Sequence, residues 1–317
     1  MTRLRSGWLR CACMGCALLF ALPARAALYV VTIAGLGGEP DYDQRFQGNA
    51  KDVDRAFKSA GGEVHETMLS GADATRAKLT ETLQQIASQA KPQDDFVLIL
   101  IGHGTFDGFE YKFNLVGPDA SADEIAELCD KIPSKRQLIV NTTSASGGSI
   151  IPLQRAGRAV IAATKAGTEK NATIFARYWA EALQDPTADT NKDESISAME
   201  AFVYAAKKTA DFYDSQKRLA TEHAVFEDTG KQEAVREASA STGEGLLISN
   251  FTLVRLGGAQ AAANDPAKRD LLAQKEQLEQ KIDVLKYQKA AMDPDDYKQQ
   301  LTENLLQLAK VQEQLDK

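Results

Sequence analysis

The sequence predicts an α/β fold: a mostly parallel sheet flanked by helices, followed by a C-terminal antiparallel helical hairpin. Three observations carry this prediction. Short apolar runs alternate with stretches of helical periodicity from residue 27 to about residue 256, the pattern of strands joined by crossover helices. Two of those runs, Phe96 to Ile101 and Gln137 to Val140, are apolar almost throughout and end in small polar residues. Buried parallel strands present functional groups at their carboxyl edge in this way. Beyond residue 264 the pattern changes to leucine seams at helical spacing with charged outer faces.

The chain opens with Arg3, Arg5 and Arg10 ahead of an apolar stretch from Cys11 to Leu22, then Pro23-Ala24-Arg25-Ala26, a small-x-small cleavage site. This predicts an export signal over residues 1–26. The apolar stretch is too short for a mature membrane helix, and Cys13-Met14-Gly15-Cys16 is a poor lipoprotein signal because no proper apolar core precedes it. No other window is long and apolar enough to span, so the mature chain is expected outside the cytoplasm, most simply in a periplasm. Removing the four leader arginines takes the formal charge from −7 to −11. Such an acidic chain argues against nucleic-acid binding.

Ala27 to Ala34 reads as the first buried strand, and Gly35-Leu36-Gly37-Gly38 as a turn that lacks the third glycine and immediate helix start of a dinucleotide site. Ala50 to Ala60 and Thr75 to Ala90 follow helical periodicity, Glu63 to Leu69 is strand-like, and Arg158 to Thr164 is a further strand. Residues 27–256 are long enough to bury one core as a single domain. Of four cysteines, three lie in the leader. The fourth, Cys129, shares an apolar helical face with Ile125 over Ala122 to Cys129 and reads as a packed thiol. His65 and His223 have no metal-ligand spacing to another His or Cys.

The strand ends carry the candidate chemistry. Phe96 to Ile101 delivers Gly102-His103-Gly104, and Gln137 to Val140 delivers Asn141-Thr142-Thr143-Ser144-Ala145-Ser146-Gly147-Gly148. This layout resembles the legumain and caspase-like cysteine peptidases, whose catalytic His follows one strand in a His-Gly motif and whose Cys follows the next, before a Ser-Gly. The resemblance covers roughly residues 27–256 and is specific near His103, Ser144 and the strand at 158–164. His103 matches the histidine, Ser146-Gly147 match the residues after the nucleophile, and Ser144 stands where the family has cysteine. The resemblance also implies that residues 167–173 border the substrate cleft.

The substitution changes the chemistry. A cysteine thiol has a pKa of about 8.5, whereas a hydroxyl lies nearer water, about 15.7. At about 1.36 kcal/mol per unit, forming the alkoxide costs on the order of 10 kcal/mol more than forming the thiolate. Serine enzymes avoid this by removing the proton in the transition state, with a His oriented by a buried acid and an oxyanion hole. Asp107, Glu110, Asp119 and Asp123 are the acids considered, and none has a spacing that marks it as the orienter of His103. The expectation is therefore a catalytically degenerate peptidase-fold protein that binds a peptide or protein partner in its old cleft. The alternative is an active endopeptidase or acyl hydrolase with Ser144 as nucleophile and His103 as base.

A second motif spans Asp189 to Glu200. Asp189, Asn191, Asp193, Ser195, Ser197 and Glu200 fall at positions 1, 3, 5, 7, 9 and 12 of a calcium-loop pattern, with Ile196 at the apolar position 8. The pattern predicts a structural Ca2+ fixing the start of a helix from Ala198 to Lys208. It departs at Glu194, where glycine normally permits the sharp turn. Finally, Gly257 to Asn264 reads as an alanine-rich linker, and residues 265–317 as a helical hairpin. Leu271, Leu278, Ile282 and Leu285 form one seam, and Leu301, Leu305, Leu308 and Leu315 the other, with Asp293-Pro294 restarting the second helix. The hairpin could dimerise, dock on the globular domain or bind a partner; because two helices alone bury little, association with a second copy or a partner is favoured over a self-contained hairpin.

Overall fold

A computed structural model describes residues 26–231 and 233–317. The expected leader, with Cys11, Cys13 and Cys16, lies outside the described residues apart from Ala26. In chain order the elements are β1 (Leu28–Ala34), α1 (Pro40–Lys58), β2 (Val64–Leu69), α2 (Arg76–Gln89), β3 (Asp95–Ile101), β4 (Gly104–Phe106), β5 (Tyr111–Phe113), β6 (Ala120–Ser121), α3 (Ala122–Asp130), β7 (Arg136–Asn141) and α4 (Ile150–Leu153). There follow β8 (Arg158–Ala162), α5 (Phe175–Ala182), β9 (Ser195–Ser197), α6 (Ala198–Ser215), β10 (Val225–Glu227), α7 (Leu246–Ser249), β11 (Thr252–Arg255), α8 (Gly257–Asn264), α9 (Arg269–Gln288) and α10 (Pro294–Leu315).

The central sheet has the order β10-β8-β7-β3-β1-β2. All neighbours are parallel except β10, which runs antiparallel to β8. Helices cover both faces. Phe46 and Val53 of α1, Trp179 of α5 and Phe202 of α6 pack on one side, and Leu79 and Leu83 of α2, Ile125 and Cys129 of α3 and Leu153 of α4 on the other. This is the mixed α/β architecture the alternation predicts, with a mostly parallel sheet between two helical layers and a helical pair at the C-terminus. Among the described residues no helix is long and apolar enough to cross a membrane.

Local chemistry fixes the helix starts. Pro40 occupies the first turn of α1, with Asp41 and Asp43 beside it on the positive end of the helix dipole. Helix α1 therefore begins ten residues ahead of the periodic stretch from Ala50. Thr75 caps α2, and Ser121 with Glu124 and Ser197 with Glu200 form reciprocal capping boxes on α3 and α6. Asp293 caps α10 ahead of Pro294.

The C-terminal region differs from expectation at the segment that joins it to the α/β body. Residues 257–264 form α8, a helix with Ala259, Ala262 and Ala263 buried, where the sequence reads as a linker. Helix α9 also seats on the α/β body as well as against α10. Arg255 pairs with Glu276 through Nε and Nη2 at 2.6 and 3.0 Å, Lys275 Nζ donates to the Asp193 carbonyl at 2.7 Å, and Tyr287 donates to the Glu244 carbonyl at 3.0 Å. Val311 is buried on α10, whereas Leu305, assigned to its seam, is half exposed.

The α1–β2 contact carries a titrating pair. Burial, then a hydrogen bond with Asp54, push the Glu66 carboxyl up to about 8, while that same bond holds Asp54 low. The pair therefore carries one proton, on Glu66. Its folded pKa exceeds its unfolded value, so the native state binds the proton more tightly and stability falls as pH rises from the ordinary value of 4.5 to about 8. We expect urea unfolding across that range to show a loss on the order of 1 kcal/mol, reduced by solvent screening of this half-exposed pair. In Glu66→Gln, which keeps the hydrogen bond without the titration, that loss should vanish.

Candidate functional site

Strands β3 and β7 are parallel neighbours, with Ile99 opposite Val140 and Leu100 opposite Asn141. Their carboxyl ends therefore bring His103 and Ser144 to the same edge of the sheet. Their side chains make separate contacts. Ser144 is buried, and its Oγ donates to the Gly104 carbonyl at 3.0 Å while accepting from the Gly104 N–H at 3.1 Å. The His103 ring lies edge-on to Tyr42 and Phe46 of α1, at centroid distances of 4.7 and 5.0 Å. Among the described residues no hydrogen bond joins His103 to Ser144.

Burial holds the His103 imidazole below its ordinary pKa, and the Arg45 guanidinium adds to the effect; a backbone hydrogen bond at Gly37 and the carboxylates of Asp43 and Glu39 oppose it. The net direction favours the neutral ring. Arg45 itself lies over the Tyr42 and Phe46 rings, 4.7 and 5.5 Å from their centroids. Three of the acids considered as orienters are engaged elsewhere. Asp107 accepts from the N–H groups of Phe109 and Glu110, Glu110 pairs with Lys112, and Asp119 accepts from the Leu115 N–H. Asp123 belongs to the first turn of α3.

A polar network underlies the edge. Asn141 Nδ2 donates to Ser149 Oγ at 2.9 Å, and Ser149 Oγ donates to the Ser146 carbonyl at 2.7 Å. Ser146 Oγ and Thr164 Oγ1 are 3.1 Å apart, and the Tyr111 hydroxyl meets Thr143 Oγ1 at 2.6 Å. Ala145, between Ser144 and Ser146, takes a left-handed φ of 55°. Its N–H donates to the Glu169 carbonyl at 2.8 Å, which places the 163–174 segment against the turn. The Phe106 ring lies against Gly148 and Gly167, where an added Cβ would fall 2.7 and 2.3 Å from ring carbons.

Spacing did not reveal a second histidine at this edge. The Glu169 carboxylate meets His223 Nδ1 at 2.5 Å and accepts from the N–H groups of His223 and Lys165 at 3.2 and 3.0 Å. Glu222, beside His223, accepts from the N–H groups of Ile174 and Phe175 at 2.9 and 3.2 Å and from the Tyr213 hydroxyl at 3.0 Å. Glu169 and His223 are 54 residues apart, so only the fold joins them. His65 stacks on Tyr29, centroids 4.8 Å apart, away from this edge. Burial pushes the Cys129 thiol up to about 11, which makes it a poor nucleophile.

The Asp189–Glu200 loop lies apart from this edge. Glu194 adopts a left-handed φ of 67°, so the turn that glycine usually permits forms without it. Its carboxylate accepts from the Ala259 N–H at 2.9 Å, at the N-terminal turn of α8. Asp189 accepts from the N–H groups of Lys192 and Glu194, Asp193 from Ser195, and Glu200 from Thr190, Asn191 and Ser197. Lys192 Nζ donates to the Asp189 carbonyl, and Lys275 Nζ to that of Asp193. The hard oxygen donors suit calcium chemically. Among the described residues, however, no three His, Cys, Asp or Glu side chains converge as a metal cluster.

No family model matches the chain, and no curated protein matches it. Among solved structures it is similar to the Drosophila initiator caspase Dronc, at 13% identity and a TM-score of 0.41, over 66% of this chain and 82% of that one. It is also similar to a Geobacter sulfurreducens protein solved as a structural-genomics target, at 12% identity and a TM-score of 0.43, over 66% of this chain and 94% of that one.

The joint between the two strand ends depends on Gly104 having no side chain. A Cβ there would lie 2.5 Å from the Ser144 carbonyl oxygen, 2.5 Å from the Tyr111 ring and 2.6 Å from Thr143 Oγ1. Gly104→Ala should therefore lose about 1–3 kcal/mol in urea unfolding, the usual cost of overpacking. Ser144→Ala, which removes the two Gly104 bonds and leaves the Gly104 N–H and C=O without them, should lose about 1–2 kcal/mol.

Proposed function

We propose that this chain is a catalytically degenerate, exported protein of the legumain/caspase-like peptidase fold that binds a peptide or partner segment at the carboxyl edge of its sheet. The observation that carries the reading is the state of Ser144. Its hydroxyl proton is committed to the Gly104 carbonyl and one of its lone pairs to the Gly104 N–H, so the proton a base would have to take is not donated to His103. His103 adds no drive, since no carboxylate hydrogen-bonds its ring among the described residues, and its surroundings favour the neutral form.

Intact-mass detection of fluorophosphonate labelling tests the reading. We expect no adduct on the wild-type chain, Ser144→Ala or His103→Ala. An adduct on the wild type that disappears in both variants would establish a serine hydrolase and overturn the proposal.

The Asp189–Glu200 loop is the second part of the proposal. We read it as a low-affinity structural calcium site, in the roughly 10⁻⁴–10⁻³ M range of extracellular modules. Its carboxylates would exchange loop N–H groups for the ion, against the positive charge of Lys192 and Lys275. Millimolar calcium, but not magnesium, should raise the Tm, and Glu200→Gln should remove that increment. Lys192→Ala should enlarge it, because one competing ammonium group is gone. An unchanged Tm in calcium would leave the loop as a self-satisfied turn.

A further inference from the structure

The 163–174 segment and the 216–224 loop are joined through Glu169–His223 and through Glu222 to the Ile174 N–H, and together they form a lip beside the carboxyl edge of the sheet whose charge is opposite to that of the whole chain. We propose that this lip docks an acidic segment of a partner protein carrying leucine-like apolar side chains; the proposal rests on the cleft-binding reading above. Lys165, Lys170, Lys217 and Arg218 are all exposed here, on a chain of formal charge −7. Among the described residues Lys170, Lys217 and Arg218 form no ion pair, and Lys165 Nζ lies 3.8 Å from Glu169. The two carboxylates of the lip, Glu169 and Glu222, turn inward onto backbone N–H groups, His223 and Tyr213. The lip therefore presents cations outward. Beside them Leu219 is 91% exposed, an apolar side chain that nothing in the fold uses.

Two further features bear on binding. The inward carboxylates stitch the two segments together, so the cations are presented on a pre-organised surface and less ordering is needed when a partner arrives. Lys217 also stands where the fold would prefer glycine. At the end of α6, the Lys217 N–H donates to the Asp214 carbonyl and the Arg218 N–H to the Tyr213 carbonyl, both at 3.0 Å. This is the paired closure that usually places glycine at the left-handed position. Lys217 takes a φ of 53° there, a conformation that costs a non-glycine residue stability. A lysine kept at that cost points to a use for its side chain.

The test is fluorescence anisotropy with a labelled peptide of alternating glutamate and leucine, compared with its lysine–leucine counterpart and with sedimentation on phosphatidylglycerol vesicles. The acidic peptide should bind and the basic one should not, with affinity falling as salt rises. Removing cations by Lys165→Ala and Lys170→Ala should weaken binding about fivefold each, the upper end for exposed ion pairs. Leu219→Ser should weaken it about tenfold through lost apolar burial. Lys217→Gly should weaken binding while raising the Tm, which separates a docking role from a structural one. Equal binding of both peptides, unaltered affinity in the lip variants, or capture by vesicles in place of the peptide would each overturn the proposal. Binding lost in His103→Ala but kept in the lip variants would also overturn the lip assignment while leaving the cleft reading intact. Fluorophosphonate labelling together with lip-dependent peptide binding would sink the degenerate reading alone.

Discussion

Strand β3 is the constraint on which the rest of the molecule depends. All seven of its residues are buried, and both of its edges are hydrogen-bonded, to β1 on one side and β7 on the other. Each fully buried Leu, Ile, Val or Phe contributes about 1.5–3 kcal/mol relative to exposure, so a shift of this strand would forfeit several such terms at once. The strand can offer chemistry only at its carboxyl end, where the chain leaves the sheet through Gly102-His103-Gly104. Strand β7 is held in register beside it, and the polar residues that follow β7 are buried as well. Asn141, Thr142, Thr143, Ser144, Ser146 and Ser149 are all nearly inaccessible, and each side chain has a hydrogen-bond partner. A buried polar network of this kind is tolerable when it is complete, and completeness makes it rigid.

Elements whose signal is local were legible in the sequence. Strands β3, β7 and β8 are apolar runs bounded by polar residues, and Asp293-Pro294 marks the start of α10. Elements whose signal comes from elsewhere were not. Strands β4, β5 and β6 are three, three and two residues long, too short for alternation to register. Helix α8 has a Gly-Gly start and an alanine run without strong amphipathicity, and one of its first-turn N–H groups is satisfied by Glu194, 65 residues earlier in the chain. A residue that departs from the calcium-loop pattern is, in the fold, the cap of a distant helix. The candidate site divides in the same way. That His103 and Ser144 share an edge follows from two adjacent parallel strands. That the ring packs edge-on against Tyr42 and Phe46 was not legible, because those residues sit on turns of α1 that lie ahead of the visible periodicity.

Among the described residues, the four non-glycine residues with positive φ, Ala145, Lys192, Glu194 and Lys217, are each held by specific backbone bonds. Ala145 is fixed through its N–H to Glu169 and its carbonyl to Gly148. Lys192 and Glu194 are fixed by the Asp189 carboxylate, and Lys217 by the end of α6. A single left-handed residue costs roughly 1–2 kcal/mol, about what one or two hydrogen bonds return. The turns therefore form despite a cost that glycine would avoid while making the same backbone bonds, and the side chains they present answer to other demands. At Glu194 the demand is the cap on α8.

The same reasoning bears on Ser144. A hydroxyl is a compact donor and acceptor that suits bonds near 3 Å, whereas a thiol is a weak donor. With serine, one side chain can bridge both the N–H and the carbonyl of Gly104 and so tie the end of β7 to the end of β3. Each such bond contributes about 1 kcal/mol. A nucleophile at this position must keep its reactive atom free and face a base, and those requirements conflict with bracing the joint. In this chain the side chain that follows β7 is placed as the brace. The exposed cations and Leu219 lie on the neighbouring 163–174 and 216–224 segments, where no packing interaction accounts for them.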